Sequence, residues 1–485
     1  MAGHYDLVVI GGGPGGYTAA EHAALLGMRT VLIEKEEVGG ACINTGCVPA
    51  KSMLQATCVY RDLRRSARFG ITIGDVRYDY AGLQKYKEEN VRKLREGVLK
   101  RLRESGAELI YGSGYLHRNN AVEIMTAAGT EYVYGEHVII ATGAKPVIPD
   151  IPGVDLPQVM TSRKLMAESE WAFDRLVIIG GGVIGVELAT IYASLGASVT
   201  MLEMSSRLLD NMDETISCEL RESLEDKGVQ VLCGVHVTGI RENSPGETEG
   251  QVQVEYKKGF RQYSIPADRV LISAGRRPRM SDVLSEDCEV RLHEDGRPIT
   301  RAPYRTTQEG VFAIGDTVAR MRLAHVAASQ GAYVVEHIAK KGHRLELSIV
   351  PNGMFVSLPL VPICIFADPE IACVGFSEED ARRYNMKVKI GVAMMEDNGK
   401  AILSDQKRGF VKLLFEAYTN TLVGAHIMCL RATDMIGEMA TAIANGLTAY
   451  QLQMAMRAYP TYGQSIARAI ADALKEDAGQ KEQRG

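Results

Sequence analysis

The sequence lacks both a long apolar run and a run of basic residues. Apolar stretches such as residues 7–10 and 138–141 have the length of a strand, whereas a transmembrane helix needs about 20 apolar residues. The formal net charge is −5, which provides no electrostatic attraction for nucleic acid. Strand-like residues begin at Asp6, which leaves no room for a signal peptide before the fold. We therefore predict a soluble, cytoplasmic protein that binds neither membranes nor nucleic acid.

Cysteines are few and irregularly spaced. There are nine, an odd number without a repeating interval, which is poor evidence for the disulfide framework of a secreted protein. Most stand among apolar neighbours, as Cys233 and Cys364 do, and are predicted to be small core residues. Cys42 and Cys47 differ because they stand in GGACINTGCVPAK, with no second Cys/His pair beside them. A metal site is therefore not predicted.

What the sequence does contain is a repeat. At 485 residues the chain is too long for one hydrophobic core. Residues 6–16 (DLVVIGGGPGG) and 176–185 (LVIIGGGVIG) each indicate a buried strand, a glycine turn and the start of a helix. Each copy continues into a second strand ending in Glu34 or Glu203, 23 residues after the first glycine (34 − 11 and 203 − 180). This pattern predicts an α/β protein with two Rossmann-like dinucleotide-binding domains.

The three glycines of each turn have separate physical tasks. The first permits the tight turn, the second lets a pyrophosphate approach the backbone, and the third lets the helix pack on the strand. The phosphates then lie at a helix N-terminus, where amide groups and the helix dipole favour negative charge. A glutamate at the end of the second strand accepts hydrogen bonds from ribose hydroxyls. The predicted dinucleotide-binding residues are Gly11, Gly13, Gly16 and Glu34 in the first copy and Gly180, Gly182, Gly185 and Glu203 in the second.

The acid of the second copy bears on which nicotinamide dinucleotide binds there. A carboxylate at Glu203 suits the free 2′-hydroxyl of NAD and would repel the 2′-phosphate of NADP. Arg207 is the nearby cation that would weaken this preference. The second copy is therefore predicted to take NAD(H).

Residues 39–51 follow the first copy directly and carry Cys42 and Cys47, five positions apart. Gly46 permits a tight approach, and Pro49 suits the first turn of a helix. The separation is short enough for a disulfide if the segment folds into a turn of helix. Cys47 would then lie near a helix N-terminus, where a thiolate is stabilised. The pair is predicted to be redox-active.

With these features the chain resembles the pyridine nucleotide–disulfide oxidoreductases with a Cys-x-x-x-x-Cys centre, the family of dihydrolipoamide dehydrogenase, glutathione reductase and mercuric reductase. The resemblance runs from about residue 5 to about residue 475. It includes ATGAKP at 141–146, SAGRRP at 273–278, AIGD at 313–316, LAHVAASQG at 323–331 and DPEIACVG at 368–375. It implies FAD in the first copy, NAD(H) in the second, and a C-terminal α+β domain that makes a homodimer.

The resemblance implies a role for each residue around the thiol pair. Cys47 would lie against the flavin and form the charge-transfer thiolate, and Cys42 would be the thiol that meets the substrate. Lys51 would approach the reactive edge of the flavin and pair with Glu187. These four residues are the predicted catalytic group, together with Tyr459 in the C-terminal segment.

The remaining family motifs imply further cofactor contacts. Asp316 would hold the ribityl chain of FAD. The helix that starts near Ala324 would point its N-terminus at the pyrimidine end of the flavin, where the helix dipole stabilises the reduced anion. His325 lies on this helix, so a cofactor contact or a structural role is expected for it rather than general-base catalysis. The motif glycines predicted as cofactor-binding are Gly143 and Gly315 for FAD and Gly275 for NAD.

The resemblance also implies how the domains follow one another. The FAD domain would be discontinuous, formed by residues 1–150 and 275–350. The NAD domain would be inserted between them at residues 151–274, and an interface domain would take residues 351–485. Residues 80–105 are charge-rich and predict a helix with one solvated face on the FAD domain.

The C-terminal segment departs from the family pattern. In the lipoamide and glutathione reductases it carries His-Pro-Thr and a glutamate four residues beyond the proline, and this dyad accepts the proton released in thiol–disulfide exchange. Here the sequence is Tyr459-Pro460-Thr461, with Gln464 at the glutamate position. A general base contributes about 10²–10⁴-fold, and tyrosine, with an ordinary pKa of about 10, is a poor acceptor at neutral pH. Tyr459 is therefore a candidate catalytic residue, and we expect inefficient turnover of lipoamide.

The predicted function is an FAD-dependent NAD(H):disulfide oxidoreductase, a homodimer that resembles dihydrolipoamide dehydrogenase and acts on a small-molecule or lipoyl-domain disulfide. The missing dyad leaves an alternative open, reduction of a non-disulfide acceptor such as a mercuric or other soft metal ion, a quinone or a second nicotinamide. Tyrosine here resembles mercuric reductase, but the tail ALKEDAGQKEQRG lacks that enzyme's cysteine pair. A third hypothesis is a subunit whose flavin relays electrons within a complex.

Overall fold

The computed structural model describes residues 3–170, 173–319, 321–340 and 360–482, with side chains as far as residue 475. The chain folds into two compact units. The first unit takes residues 1–150, 160–172 and 272–345, and the second takes residues 151–159, 173–271 and 346–485. The predicted boundary at residues 350/351 lies outside the described residues, and the three predicted domains stay a prediction.

The described residues form strands β1 to β22 and helices α1 to α13, numbered in chain order. The strands are Gly3–Ile10, Thr30–Glu34, Glu108–Tyr111, Ser113–Leu116, Ala121–Thr126, Gly129–Ile140, Ala144–Pro146, Val159–Thr161, Arg175–Ile179, Ser198–Glu203, Gln230–Cys233, His236–Glu242, Val252–Lys258, Arg261–Ala267, Arg269–Ile272, Arg276–Pro278, Val311–Ala313, Ile363–Ile365, Ile371–Gly375, Val388–Met394, Phe410–Glu416 and Leu422–Met428. The helices are Pro14–Leu25, Gly40–Asn44, Cys47–Arg64, Tyr80–Ser105, Ser162–Ala167, Val183–Ser194, Glu214–Glu225, Ala324–Ile338, Glu378–Arg383, Gly399–Leu403, Ala432–Ala444, Ala449–Met454 and Gln464–Glu482. None of the described helices combines the length and the apolar character that crossing a membrane requires.

The first unit is built on a sheet of order β3-β2-β1-β6-β5-β4, with β17 beside β6. Strands β2 and β6 both pair in parallel with β1, and β2 is buried along its whole length. Parallel strands covered on both faces are expected to be apolar throughout. Helices α1 and α8 approach closely, since a Cβ on Gly331 would lie 2.6 Å from the carbonyl oxygen of Gly15. Because β1 and β6 are parallel, their carboxyl ends lie at the same edge of the sheet, where α1 begins.

The second unit contains a parallel arrangement of β9, β10 and β11, the antiparallel sheet β12-β13-β14 and the sheet β18-β19-β22-β21-β20. The last sheet is antiparallel throughout. Its strands β21 and β22 share a buried apolar core with α11 and α13. Strands followed by helices in residues 361–482 agree with the α+β module that the sequence predicts there.

Most elements that the sequence predicts are present. Both glycine turns lie between a buried strand and a helix, and the charge-rich helix is α4, with bounds Tyr80–Ser105. Val98 and Leu102 bury one face of α4. Outside the thiol pair, Cys373 and Cys429 are buried, whereas Cys218 is exposed on α7. Cys233 and Cys364, the two examples with apolar neighbours, are half-buried.

Candidate active site

The first glycine turn joins β1 to α1 at the carboxyl edge of the sheet. Gly11 has a φ of +105°, which favours glycine, and a Cβ on Gly16 would lie 1.8 Å from the carbonyl oxygen of Gly11. Helix α1 begins at Pro14 with no side-chain cap and no acidic residue in its first turn. A Cβ on Gly13 would have Gly40 Cα, at 3.9 Å, as its nearest neighbour. The turn therefore has room and amide donors for an anion at the helix N-terminus.

The second glycine turn repeats this construction between β9 and α6. Gly180 has a φ of +111°, and a Cβ on Gly185 would lie 2.2 Å from the Gly180 carbonyl oxygen. Helix α6 begins at Val183 without a side-chain cap or an acidic residue in its first turn. A Cβ on Gly182 would meet nothing within 4 Å. The second turn, like the first, fits a pyrophosphate on its open side.

The two glutamates that end the second strands are held in the same way. Glu34 Oε2 accepts a hydrogen bond from the backbone amide of Gly12 at 2.6 Å. Glu203 Oε2 accepts from the amide of Gly181 at 2.5 Å, and its Oε1 accepts from the amide of Ser205 at 2.6 Å. Each carboxylate is thus fixed beside its glycine turn, where a bound ribose would lie.

We expect Gly182→Ala to weaken NADH binding without weakening the fold. The added methyl group has open space in the protein but would displace a phosphate from the α6 amides, which should raise KM for NADH about tenfold or more. Gly185→Ala is the matched control, because its Cβ would collide with the Gly180 carbonyl and should destabilise the protein by about 1–3 kcal/mol. NADH kinetics and thermal denaturation of both variants separate the two effects, and an unchanged KM in Gly182→Ala would contradict the assignment.

The thiol pair lies in the first unit, on two consecutive helices. Cys42 is half-buried in α2, and Cys47 is the exposed first residue of α3. Gly46 precedes α3, and Pro49 is buried in its first turn. Lys51 follows Cys47 by four residues, so the two side chains lie on one face of α3. The helix N-terminus and the nearby ammonium group both favour negative charge on the Cys47 sulfur.

The surroundings of Cys42 favour its protonated form. A hydrogen bond with Cys47 is the largest cause that raises the pKa of Cys42 far above its ordinary value, and burial adds to it. The charge of Lys51 opposes this rise, while that of Asp316 supports it. Because only a thiolate attacks a disulfide, Cys42 requires a proton acceptor before it can react.

Asp316 lies among buried charges close to the thiols. Burial raises the pKa of Asp316, and the charges of Arg276 and Arg322 oppose that rise. Burial in turn lowers the pKa of Arg276, which Asp316 and Cys47 oppose. The structure thus brings Asp316, Arg276 and the thiol pair together in the first unit, although they are far apart in the sequence.

Several buried polar atoms near these charges indicate a missing polar partner. Thr142 Oγ1, Arg279 Nε and Arg322 Nε are buried without a hydrogen-bond partner among the described residues. Buried polar groups are normally paired, so a polar ligand is expected there. Helix α8 also begins without a side-chain cap or an acidic residue in its first turn. With the first glycine turn, these features fit a dinucleotide such as FAD.

The three other motif glycines all lie in the first unit. Gly143, Gly275 and Gly315 have φ values of +70°, +106° and +69°, which favour glycine. The amide of Gly315 donates to Gln330 Oε1 at 2.7 Å and so ties the Asp316 segment to α8. Gly275, which the sequence assigns to NAD, belongs to the same unit as the FAD motifs.

The remaining two predicted catalytic residues lie in the second unit. Glu187 is buried in α6, and its Oε1 accepts from the amide of Phe366 at 3.1 Å. Its pairing with Lys51 stays a prediction. Tyr459 is 78% exposed, and its hydroxyl lies beside Gly399, where a Cβ would be 3.3 Å away.

Four polar residues of this site were not predicted from the sequence: Thr142, Arg276, Arg279 and Arg322. Thr142 and Arg276 adjoin motif glycines, in ATGAKP and SAGRRP, so polar residues next to such glycines were a usable signal. Arg279 and Arg322 stand outside the quoted motifs. Arg322 acts on Asp316 and Arg279 acts on Arg276 through tertiary contacts that no local pattern shows.

Two family models match the chain. The family model described as pyridine nucleotide-disulphide oxidoreductase matches residues 5–331, and the model of the dimerisation domain of the same family matches residues 361–470. Similar proteins include the dihydrolipoyl dehydrogenase of Chlorobaculum tepidum, 34% identical over 98% of each chain. That of Geobacillus stearothermophilus is 33% identical over 97% of this chain and 96% of its own.

Solved structures are similar over almost the whole chain. The HOCl-induced flavoprotein disulfide reductase RclA from Escherichia coli is 26% identical, with a TM-score of 0.82 and coverage of 96% of this chain and 99% of its own. LpdA from Mycobacterium tuberculosis is 25% identical, with a TM-score of 0.85 and coverage of 97% and 99%. The α/β fold with a C-terminal dimerisation domain is therefore confirmed.

Proposed function

The chain belongs to the pyridine nucleotide–disulphide oxidoreductase family, and from this premise we propose that it moves electrons between NAD(H), FAD and the Cys42–Cys47 pair to convert a disulfide and its dithiol into one another. The observation that carries the proposal is the thiol pair itself. Cys42 is hydrogen-bonded to Cys47, and Cys47 begins α3 in the unit that holds the first glycine turn and Asp316.

Each glycine turn would hold one dinucleotide. FAD would be held by the first glycine turn, Glu34, Asp316 and the polar atoms around Thr142, and NAD(H) by the second glycine turn and Glu203. When bound, FAD supplies a two-electron carrier, and NAD(H) supplies or accepts a hydride. The N-terminus of α8 would favour negative charge on the cofactor. Arg276 would balance the charge of Asp316 beside it.

The thiol exchange requires a sequence of bond changes at sulfur. Cys42, once deprotonated, attacks one sulfur of the substrate disulfide, so that a mixed disulfide forms and one substrate thiolate leaves and takes a proton. The Cys47 sulfur then attacks the Cys42 sulfur, and the second substrate thiol leaves. Two electrons have passed to the substrate, and the cysteine pair is left as a disulfide. NADH is the source of the two electrons that restore the dithiol.

The proposed active form is a homodimer. Residues 361–470 match the dimerisation domain, and large apolar side chains of this segment are exposed in the single chain. Met454 is 83% and Met456 is 100% exposed, next to Tyr459 in sequence. Apolar side chains exposed in such a group are typical of a protein–protein interface. We propose that Tyr459 lies at this interface and faces the partner's thiol pair.

The proposed substrate is a lipoyl-type disulfide, either a small molecule or one borne by a lipoyl domain. Support comes from the similarity to dihydrolipoyl dehydrogenases over nearly the full length of the chain. We further propose that the protein works in the cytoplasm, because nine irregularly spaced cysteines are poor evidence for a secreted disulfide framework.

Anaerobic mixing of the purified, FAD-loaded protein with NADH tests the proposal. We expect loss of the oxidised flavin absorbance, followed by NADH consumption that depends on added lipoamide. The rate with lipoamide should be low, because the proton acceptor of the family is replaced by Tyr459. Flavin that stays oxidised in the presence of NADH would contradict the proposed electron path.

A further inference from the structure

The loop that follows β10 folds back on the second glycine turn. The amide of Leu209 donates to the carbonyl of Gly181 at 3.1 Å, and the amide of Gly181 donates to Glu203 at 2.5 Å. Arg207 belongs to this loop and therefore stands beside the carboxylate proposed to accept the ribose hydroxyls. A free guanidinium at such a place would attract a 2′-phosphate.

The guanidinium of Arg207 is already engaged. Its Nη1 lies 3.3 Å from Glu379 Oε1, and both side chains are about three-quarters buried, with 27% and 28% exposed. Its Nη2 donates to the carbonyl oxygens of Asp210 and Met212, each at 3.1 Å. The charge of Arg207 is thus neutralised in a partly desolvated ion pair, where a carboxylate interacts more strongly than at the surface.

Glu379 is itself held in place. It lies in α9, and its Oε1 also accepts from the amide of Glu214, the first residue of α7, at 3.0 Å. A carboxylate at a helix N-terminus is favoured by the helix dipole. Its Oε2 is buried without a hydrogen-bond partner among the described residues, so Arg207 is the cation that compensates this carboxylate.

A buried lysine fixes the helix that carries Glu379. Lys412 is 4% exposed, and its Nζ lies 2.7 Å from Asp213 Oδ1 and 2.5 Å from Glu378 Oε1. Asp213 caps α7, and Glu378 is the first residue of α9. The starts of α7 and α9 are therefore joined through one ammonium group, which keeps Glu379 within reach of Arg207.

We infer that Glu379 is a positioning residue for coenzyme choice. It holds Arg207 in an ion pair, so that the guanidinium does not bind a 2′-phosphate and NAD(H) is preferred over NADP(H). The inference rests on the proposed binding of NAD(H) at Glu203. The carboxylates of Glu203 and Asp210 flank the same loop. A 2′-phosphate would meet the negative charge of Glu203, whereas a 2′-hydroxyl meets a hydrogen-bond acceptor.

Removing the carboxylate should release Arg207. In Glu379→Ala and Glu379→Gln, adenosine 2′,5′-bisphosphate should bind about tenfold more tightly than to the parent protein, as one charge-assisted hydrogen bond predicts. Binding of adenosine 5′-monophosphate should change by about twofold or less. Isothermal titration calorimetry of the FAD-loaded dimer gives both dissociation constants. In steady-state kinetics, KM for NADPH should fall while kcat stays the same.

The control is the double variant Glu379→Ala/Arg207→Ala, in which the gain for the bisphosphate should disappear. Arg207→Ala alone should show no gain. Thermal denaturation and flavin content establish that each variant is folded, and Glu379→Gln serves if the alanine variant is not. Folded variants with an unchanged bisphosphate constant, or a gain that persists without Arg207, would overturn the inference. If the parent protein does not bind adenosine 5′-monophosphate, the proposed NAD(H) site fails, and the inference fails with it.

Discussion

Replacing Cys42 with serine should lower NADH-driven reduction of lipoamide by about a thousandfold or more, because a serine hydroxyl cannot form the mixed disulfide. Reduction of the flavin by NADH should continue, since hydride transfer from NADH to FAD does not involve the Cys42 sulfur. Stopped-flow absorbance measures the first half of the reaction, and steady-state turnover with lipoamide measures the whole. A loss confined to the second half is the expected result.

Cys218→Ser is the matched control. Cys218 is an exposed thiol on α7, and its replacement should leave both halves of the reaction unchanged. Undiminished reduction of the physiological acceptor by the Cys42 variant would contradict the dithiol route. The acceptor would then be sought among soft metal ions and quinones, which can take electrons without thiol exchange.

The second large effect is expected from restoring the family's proton acceptor. The double change Tyr459→His and Gln464→Glu should raise turnover of lipoamide about a hundredfold, within the range that a positioned general base contributes. A proton acceptor for Cys42 is needed because the hydrogen bond with Cys47 and burial raise the pKa of Cys42. Tyr459 is 78% exposed, and Gln464 begins α13, so neither change disturbs the apolar core.

The pH profile distinguishes a restored base from an indirect effect. The pH profile of lipoamide turnover by the double variant should show an additional inflection near the ordinary histidine pKa of about 6.5. Flavin reduction by NADH should be unaffected. Tyr459→His alone should gain less, since its imidazole would lack a carboxylate partner. Brisk turnover by the parent protein, with no gain in the double variant, would mean that another group accepts the proton.

The two glycine turns show which features a local sequence pattern can predict. Gly-x-Gly-x-x-Gly after an apolar run constrains backbone that is contiguous in the chain, so both turns and both following helices were predictable. The same holds for α3, because Gly46 and Pro49 favour a helix start next to Cys47. The helix bounds predicted for residues 80–105 are likewise confirmed, since charge and apolar periodicity repeat every turn over 26 residues.

The sequence by itself determined the family, the two dinucleotide turns, the thiol pair and the absence of the His–Glu dyad, because each is a property of neighbouring residues. Only the tertiary structure decided which distant charges meet. Arg276 and Arg322 converge on Asp316, and Glu379 neutralises Arg207 across 172 positions of sequence. Such pairs depend on how sheets and helices pack, and packing depends on side chains from the whole unit. A residue's type therefore predicts what it can bind, whereas its tertiary contacts decide whether it is available to bind a ligand.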